Sequence, residues 1–147
     1  YLPLQFSQKY KIFSESKCSN KRNKFLNFIF LIMTEANITH FKGNTKDLKD
    51  LITKTAGLVV VDFFADWCQP CKLLGSALPK IAADYPNVKF LKSNIDEHPE
   101  LADDFNVMSI PNIKFFKNGQ NDDPLVPVAT VVGADVSKIK HNLEVFH

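Results

Sequence analysis

The sequence predicts an α/β domain in which about four helices flank a central mixed sheet of five strands. Short runs of apolar and β-branched residues alternate with longer segments whose apolar residues recur at helical spacing. The first three predicted strands are separated by helices, so they can lie parallel, whereas only a turn joins the last two. The length of 147 residues is enough for one such domain.

The first strand and helix are predicted from alternation and from helix-start residues. Ile38–Phe41 alternates between apolar and polar side chains and indicates a short strand. Asn44, followed three residues later by Asp47, is typical of a helix start. The helical spacing continues to Thr55, and we expect Gly57 to end this helix.

The middle of the domain reads as strand, helix and strand. Leu58–Ala65 is an apolar run interrupted only by Asp62, which is typical of a strand buried on both faces. Val88–Ile95 is predicted to be the next strand. Between them, one apolar helical face is formed by Leu73, Leu74, Leu78, Ile81 and Ala82.

The last third of the chain is predicted to hold a short helix, a hairpin and a final helix. Pro99 suits the first turn of a helix, and Asn118-Gly119 is a hairpin turn signal. The predicted elements are a helix over 99–105, strands over 112–117 and 128–132, and a helix that starts at Asp135 or Ser137 and reaches Phe146.

Charge and cysteine content limit the class of function. Residues 1–32 hold six basic and one acidic side chain, and the remaining residues hold 12 basic and 15 acidic ones. The domain therefore has no basic excess, and we expect no nucleic-acid partner and no membrane attachment. Three cysteines are too few for a disulfide-stapled secreted domain. Two of them form a C-x-x-C motif, which indicates redox chemistry in a βαβ setting.

Residues 1–33 differ from the rest, and we place the domain at 34–147. Residues 1–32 lack Gly, Ala, Val and Asp, and the first methionine is Met33. One interpretation is translated upstream sequence before a start at Met33, which predicts a cytoplasmic protein. The other is a targeting segment within residues 1–36, in which the basic Lys21–Lys24 precedes the apolar Phe25–Met33. That interpretation predicts a secreted or organellar protein.

The C-x-x-C motif lies where the buried strand passes into a helix. The first turn of a helix has unpaired N–H groups and about half a positive charge, and both stabilise a thiolate. Cys68 is therefore predicted to be a nucleophile. Cys71 follows one turn later, close enough for a disulfide, and Pro70 suits the first turn. A zinc half-site or inert thiols are the alternatives, but the sequence lacks a second C-x-x-C and its four histidines are scattered, so we expect no metal.

Asp62 lies six residues before Cys68. If its side chain points inward, it lies under the start of the helix, and burial raises its pKa. It would then take the proton from Cys71 through a water. The alternative is an exposed carboxylate on a strand edge, which the apolar neighbours on both sides disfavour. Trp67 is expected to shield the thiol and to offer substrates a flat surface.

Five segments in order resemble the thioredoxin family, and the resemblance covers 34–147. A lone C-x-x-C is a weak signal, whereas five matched segments are specific. They are Val61–Ala65 with Trp67-Cys68-x-Pro70-Cys71-Lys72, then Asn94–Asp96, Val107–Pro111, Phe115–Gly119 and Val132–Ala134.

The resemblance implies a thioredoxin fold and a protein-disulfide reductase. Cys68 would be the attacking nucleophile and Cys71 the resolving thiol, and the two would form the redox disulfide. Asp62 would be the buried base, with Lys92 as its neighbour. The implied partners are disulfide-containing protein substrates and an NADPH-dependent flavoprotein, thioredoxin reductase. We expect a monomer that needs no bound cofactor.

The resemblance also implies a substrate-docking groove around Trp67. Pro111 would follow a cis peptide bond opposite the disulfide and hold the Ile110 backbone open for a substrate peptide. Ile110 and Gly133 would line the groove. Two alternatives to the reductase stay open. One is a secretory-pathway disulfide oxidase or isomerase, and the other is a non-enzymatic binding module that uses this surface.

Three departures from the family pattern stand out. Gln69 replaces the usual Gly between the cysteines, which leaves the redox potential open. Ser76 stands where the family has Pro, and Pro79 follows three residues later, so we predict a helix kink near Gly75 and Ser76. Residues 120–127 lengthen the last hairpin by about six residues and are predicted to form a polar surface loop.

Overall fold

The computed structural model describes residues 37–147, and the elements there follow the predicted order. Every predicted strand and helix is present, although several end one residue earlier or begin one residue later than expected. The elements are β1 (Ile38–His40), α1 (Thr45–Lys54), β2 (Leu58–Phe64), α2 (Gln69–Asp84), β3 (Lys89–Asn94), α3 (Pro99–Asp104), β4 (Asn112–Lys117), β5 (Ala129–Val132) and α4 (Val136–Phe146).

The five strands form one mixed sheet in the order β1-β3-β2-β4-β5. β3 pairs in parallel with both β1 and β2, while β4 is antiparallel to β2 and to β5. The predicted parallel strands and closing hairpin are therefore confirmed. β2 lies at the centre of the sheet, and Cys68 follows its carboxyl end.

Alternate residues of the strands supply two separate cores, one on each side of the sheet. The strand residues of the first core include Val60, Phe90, Ile113 and Phe115, which pack against Leu74 and Leu78 of α2 and Ile139 and Leu143 of α4. The second core joins Val59, Val61, Phe63, Leu91 and Phe116 to Leu48 and Ile52 of α1 and Leu101 of α3. Because β2 serves both cores, its sequence is apolar almost throughout.

The sequence predicted the start of α1 correctly but not its end. Asn44 and Asp47 form a reciprocal capping box, as the spacing predicted. The prediction that Gly57 ends the helix was wrong, because Thr55 already has extended backbone and its N–H bonds back to Leu51. The side-chain amide of Asn118, the residue that follows β4, donates to carbonyls in the last turn of α1. A tertiary contact thus replaces the expected glycine cap.

α2 is a 16-residue helix that continues past Pro79. Proline has no N–H, so the carbonyl of Gly75 lacks its usual helical donor. The kink predicted near Gly75 and Ser76 stays a prediction. Within residues 37–147, none of the helices combines the length and apolar character needed to cross a bilayer.

The long hairpin connection, residues 120–127, folds into a compact surface loop. Asn121 Nδ2 donates to the carbonyl of Val126 at 2.9 Å, and Asp123 Oδ1 accepts from the N–H of Leu125 at 2.9 Å. The Leu125 side chain packs against the second core, which its polar surroundings in the sequence did not indicate. The loop follows Lys117, which pairs with Leu58 at the start of β2. It therefore lies at the end of the sheet remote from Cys68.

Candidate active site

Cys68 occupies the N-cap of α2, the position that the sequence predicted for it. The backbone N–H of Cys71 donates to Cys68 Sγ at 3.3 Å. This N–H is one of the donors that a helix leaves unpaired in its first turn, so it favours negative charge on the sulfur. Pro70 lies in the same turn, where a missing N–H removes no helical hydrogen bond.

The two cysteines form a disulfide, with their Cα atoms 5.3 Å apart. Their side chains are buried in a small cluster with Ala65, against which Phe64, Ile95 and Ile110 also pack. Among the described residues, no group of three or more His, Cys, Asp or Glu is arranged to hold a metal ion. With its two sulfurs within bonding distance, the cysteine pair itself can exchange between a dithiol and an intramolecular disulfide.

Trp67 is 67% exposed and is fixed by polar contacts rather than by core packing. Its Nε1 donates to Asp96 Oδ2 at 3.0 Å. Asp96 in turn donates its N–H to Asn94 Oδ1 at 3.0 Å, and Asn94 Nδ2 donates to Asp66 Oδ2 at 3.3 Å. The indole thus forms a solvent-facing wall beside Cys68, held by one hydrogen bond at its nitrogen.

A groove of about 460 Å³ opens beside the disulfide. Its surface is mainly apolar, and its most exposed large side chain is Met108, at 93%. The Ile110–Pro111 peptide bond is cis, as the family resemblance implied. The residues that line the groove are Trp67, Cys68, Gln69, Pro70, Ile95, Val107, Met108, Ser109 and Ile110.

Asp62 is buried in the sheet, at 1% exposure. It shares a face of β2 with Val60, which packs against α2, so its side chain lies on the side of the reactive helix. Burial raises the pKa of Asp62 to about 6, and the positive charge of Lys92 partly offsets that rise. Neither carboxylate oxygen accepts a hydrogen bond from a described residue. The alternative interpretation, an exposed carboxylate on a strand edge, was wrong.

Lys92 lies directly opposite Asp62 in the parallel β2–β3 pair, so the predicted proximity of the two residues is present. Its Nζ lies 4.3 Å from the centroid of the Phe64 ring. The buried carboxylate and its nearest cation therefore share one face of the sheet without forming a salt bridge.

Comparison with known proteins gives the family. The Thioredoxin family model matches residues 39–144. This chain belongs to the thioredoxin family. The Cys68–Cys71 disulfide lies within the matched residues.

Individual thioredoxins match both the sequence and the fold. Thioredoxin-2 of Pyricularia oryzae is 34% identical over 115 residues, which are 78% of this chain and 61% of that protein. Thioredoxin of Chlamydia pneumoniae is 43% identical over 88 residues, which are 60% of this chain and 80% of that protein. The structure of Trichomonas vaginalis thioredoxin is 41% identical with a TM-score of 0.69, covering 76% of this chain and 98% of that one.

The extent of the match differs between relatives. The chain spans 61% of the Pyricularia oryzae protein and 64% of the thioredoxins of Chlamydia trachomatis and Chlamydia muridarum. For these relatives the matched part is less than two thirds of the relative's own length.

The prediction that Gly133 lines the docking groove stays a prediction, and Gly133 is not among the residues that line the cavity beside the disulfide. Gly133 has a positive φ of 90°, and its N–H donates to the carbonyl of Pro111 at 2.8 Å. Gly133, which directly follows β5, therefore helps to hold Pro111 in place next to Ile110. The family resemblance implied a position for Gly133 at this groove but did not give the direction in which its backbone turns.

The sequence prediction assigned no role to three residues that belong to the site. Asp96 was noted as part of a family segment, but no local pattern pairs it with an indole 29 residues away. Val107 and Met108 were likewise noted only as part of a segment that ends at Pro111. The sequence feature that could have indicated a role for Val107 and Met108 is their position shortly before Pro111, because this proline brings the segment opposite the disulfide.

Proposed function

We propose that this chain reduces disulfide bonds in other proteins by thiol–disulfide exchange at Cys68 and Cys71. One observation carries the proposal: Cys68 lies at the N-cap of α2 with a backbone N–H directed at its sulfur, beside an open apolar groove. A thiolate at this position is both stabilised and accessible from the groove.

The first step is attack by the Cys68 thiolate on one sulfur of a substrate disulfide. A bond forms between Cys68 and that sulfur, the substrate S–S bond breaks, and the second substrate sulfur leaves as a thiolate that takes up a proton. The product is a mixed disulfide between this chain and its substrate.

The second step is attack by Cys71 on the Cys68 sulfur of the mixed disulfide. The Cys68–Cys71 bond forms, the intermolecular bond breaks, and the substrate leaves fully reduced. Cys71 must lose its proton, and Asp62 is the group to accept it, because burial holds its pKa at about 6, near the working pH. Two electrons pass to the substrate in one cycle.

The groove supplies the contacts that hold a substrate peptide next to Cys68. Trp67, Val107 and Met108 offer apolar area, and the exposed methionine adapts to different side chains. The Ile110 backbone, held by the cis bond to Pro111, presents an edge for an extended peptide. Disulfide-containing proteins are thus the proposed substrates.

The oxidised pair must be reduced again after each cycle. We propose an NADPH-dependent flavoprotein of the thioredoxin reductase type as the electron donor, acting on the same exposed face. Its electrons would pass by the reverse of the exchange chemistry, so this chain carries electrons without a bound cofactor of its own. The proposed compartment is the cytoplasm, where such a reductant is kept reduced.

Replacement of each cysteine tests the mechanism. Cys68→Ser should abolish the reduction of insulin disulfides, because the attacking sulfur is lost. Cys71→Ser should retain attack and accumulate a mixed disulfide on Cys68, detectable as a mass increase that dithiothreitol reverses. Full activity of Cys68→Ser would rule out the proposal.

Equilibration with glutathione tests the direction of electron flow. A potential near the roughly −270 mV typical of thioredoxins supports a reductant, and one near about −180 mV indicates an oxidant or isomerase.

Intact mass of the protein purified from its native cell tests the compartment. A mature chain that begins near residue 37 would instead indicate processing by a signal peptidase.

A further inference from the structure

The position of the Lys92 ammonium is unusual for a cation beside a buried carboxylate. Lys92 and Asp62 are paired in register on adjacent parallel strands, and both side chains lie on the α2 side of the sheet. An ion pair would be the ordinary outcome, because an unpaired buried charge is costly. Instead, both Asp62 oxygens are buried without a hydrogen-bond partner among the described residues.

The ammonium lies against an aromatic face. Lys92 Nζ is 4.3 Å from the centroid of the Phe64 ring, within the range of a cation–π contact. Phe64 is the last residue of β2, two positions after Asp62, so it shares the same face of the sheet. The ring of His40 packs edge-on against the Phe64 ring, with centroids 6.0 Å apart and planes at 78°. Phe64 is thereby held in place from the edge strand.

Helix α2 leaves room for the ammonium in this position. A Cβ atom at Gly75 would lie 3.5 Å from Lys92 Nζ, an ordinary van der Waals contact, so the α2 backbone at Gly75 lies directly beside the cation without crowding it. A small cavity of about 160 Å³ opens at the same point. Its lining consists of Ile38, His40, Gly75, Leu78, Pro79 and Lys92.

Lys92 is the charged group best placed to alter Asp62. On β4 the residue opposite Asp62 is Ile113, which is apolar. On β1 His40 is in register with Lys92 and lies one strand further out. The α2 residues that line the cavity are uncharged. Burial has the largest effect on the proton affinity of Asp62, and among the charged groups the Lys92 ammonium has the main effect.

We propose that Phe64 is a positioning residue for the second step of disulfide exchange: its ring holds the Lys92 ammonium away from Asp62 and so leaves the carboxylate free to accept the Cys71 proton. This inference rests on the proposed function. If the ammonium moved onto the carboxylate, Asp62 would become a weaker base, because an adjacent positive charge favours the ionised form.

The test compares Phe64→Leu, which removes the aromatic face, with Phe64→Tyr, which keeps it. The apparent pKa of Asp62 is measured in the oxidised protein by ¹³C NMR of the side-chain carboxyl group. We expect Phe64→Leu to lower it by about one unit, the size of effect that a nearby opposite charge produces. Phe64→Tyr should leave it within about 0.3 unit of the parent value, since the ring face is retained. Phe64→Met serves the same purpose if the leucine variant does not fold.

A second pair of variants separates positioning from simple packing. In a Lys92→Met background no ammonium is present, so Phe64→Leu should no longer change the pKa of Asp62. Single-turnover kinetics at pH 7 should show resolution of the mixed disulfide about three- to tenfold slower in Phe64→Leu than in Phe64→Tyr, and the Lys92→Met background should remove this difference.

An unchanged Asp62 pKa in Phe64→Leu would overturn the inference. A shift that persists in the Lys92→Met background would do the same, because it would show an effect of packing. Neither result depends on enzyme activity. If Cys68→Ser kept full reductase activity, the proposed function would fail, while the carboxyl titration would still report on Phe64 and Lys92.

Discussion

Trp67 Nε1 donates a 3.0 Å hydrogen bond to Asp96 Oδ2, across 29 residues of sequence. This bond fixes the one exposed tryptophan of the chain beside Cys68, although little of the indole is packed. Asp96 is itself held by Asn94, so the wall of the groove is anchored in the end of β3. Substrate docking should therefore depend on a residue that does not line the groove.

Asp96→Ala should weaken the docking of protein substrates. Loss of one hydrogen bond of about 1 kcal/mol predicts a KM for insulin raised about fivefold. Reduction of a small aromatic disulfide, which needs little docking area, should change less than twofold. Steady-state kinetics with the two substrates check this, with Glu97→Ala, an exposed neighbour, as the control. Equal losses for both substrates would contradict a docking role.

Asp62→Asn should stabilise the protein at neutral pH. The folded-state pKa of Asp62 is about 6, above its ordinary value of 3.8, because the carboxyl is buried. Between about pH 4 and pH 6 the folded state therefore binds a proton that the unfolded chain does not, and stability falls as pH rises. Above pH 6 this cost reaches about 3 kcal/mol as an upper bound, and Asn does not incur it.

Urea denaturation at pH 4 and at pH 7 checks this prediction. The midpoint of Asp62→Asn should exceed that of the parent protein at pH 7, and the two should converge toward pH 4. A variant less stable than the parent at pH 7 would show that the ionised carboxylate has stabilising partners. The same variant should also slow resolution of the mixed disulfide, since Asn cannot accept a proton.

Asn118→Ala should destabilise the fold. The Asn118 amide donates to the carbonyls of Ile52, Thr53 and Thr55 at 3.2, 2.8 and 2.7 Å, closing the end of α1 against β4. The amide has two N–H groups, and each hydrogen bond contributes about 0.5–1.5 kcal/mol, so their loss should cost about 1–3 kcal/mol. Thermal and urea denaturation should show a loss in this range. Asn121→Ala removes a single bond in the exposed loop and should cost less than about 1 kcal/mol.

Gly133→Ala should lower stability through backbone strain alone. Gly133 has a φ of +90°, yet no atom lies within 4 Å of where a Cβ would stand. A side chain there meets no clash but adopts a costly conformation, so we expect a loss of about 1–2 kcal/mol. Gly57→Ala is the matched control, because its φ is not in the left-handed region and its Cβ would make only an ordinary 3.5 Å contact. Equal losses in both variants would contradict the strain argument.

Local sequence patterns were sufficient for the elements and for the reactive turn. The apolar run around Asp62 predicted a strand buried on both faces, and the C-x-x-C motif after it predicted Cys68 at a helix start. Both features are determined by residues close together in the chain, so the rules of periodicity and capping can predict them. The cis bond before Pro111 came instead from the family resemblance, because such bonds are uncommon.

Contacts between distant residues could not be predicted in the same way. The end of α1 was assigned to Gly57, but the amide of Asn118, more than 60 residues later, supplies the closing hydrogen bonds. Proximity of Lys92 to Asp62 was expected, whereas the choice of the Phe64 ring over the carboxylate was not. A long lysine side chain reaches several partners, and only the packed structure selects one.

The surface loop 120–127 continues from Lys117, which pairs with the first residue of β2, while Cys68 follows the last. The whole length of the sheet separates the two. A dye, an affinity tag or a link to an electrode attached at Asp122 would therefore leave the groove unobstructed. Immobilised in this way, the molecule would present its disulfide outward, in the orientation that a sensor for protein disulfides requires.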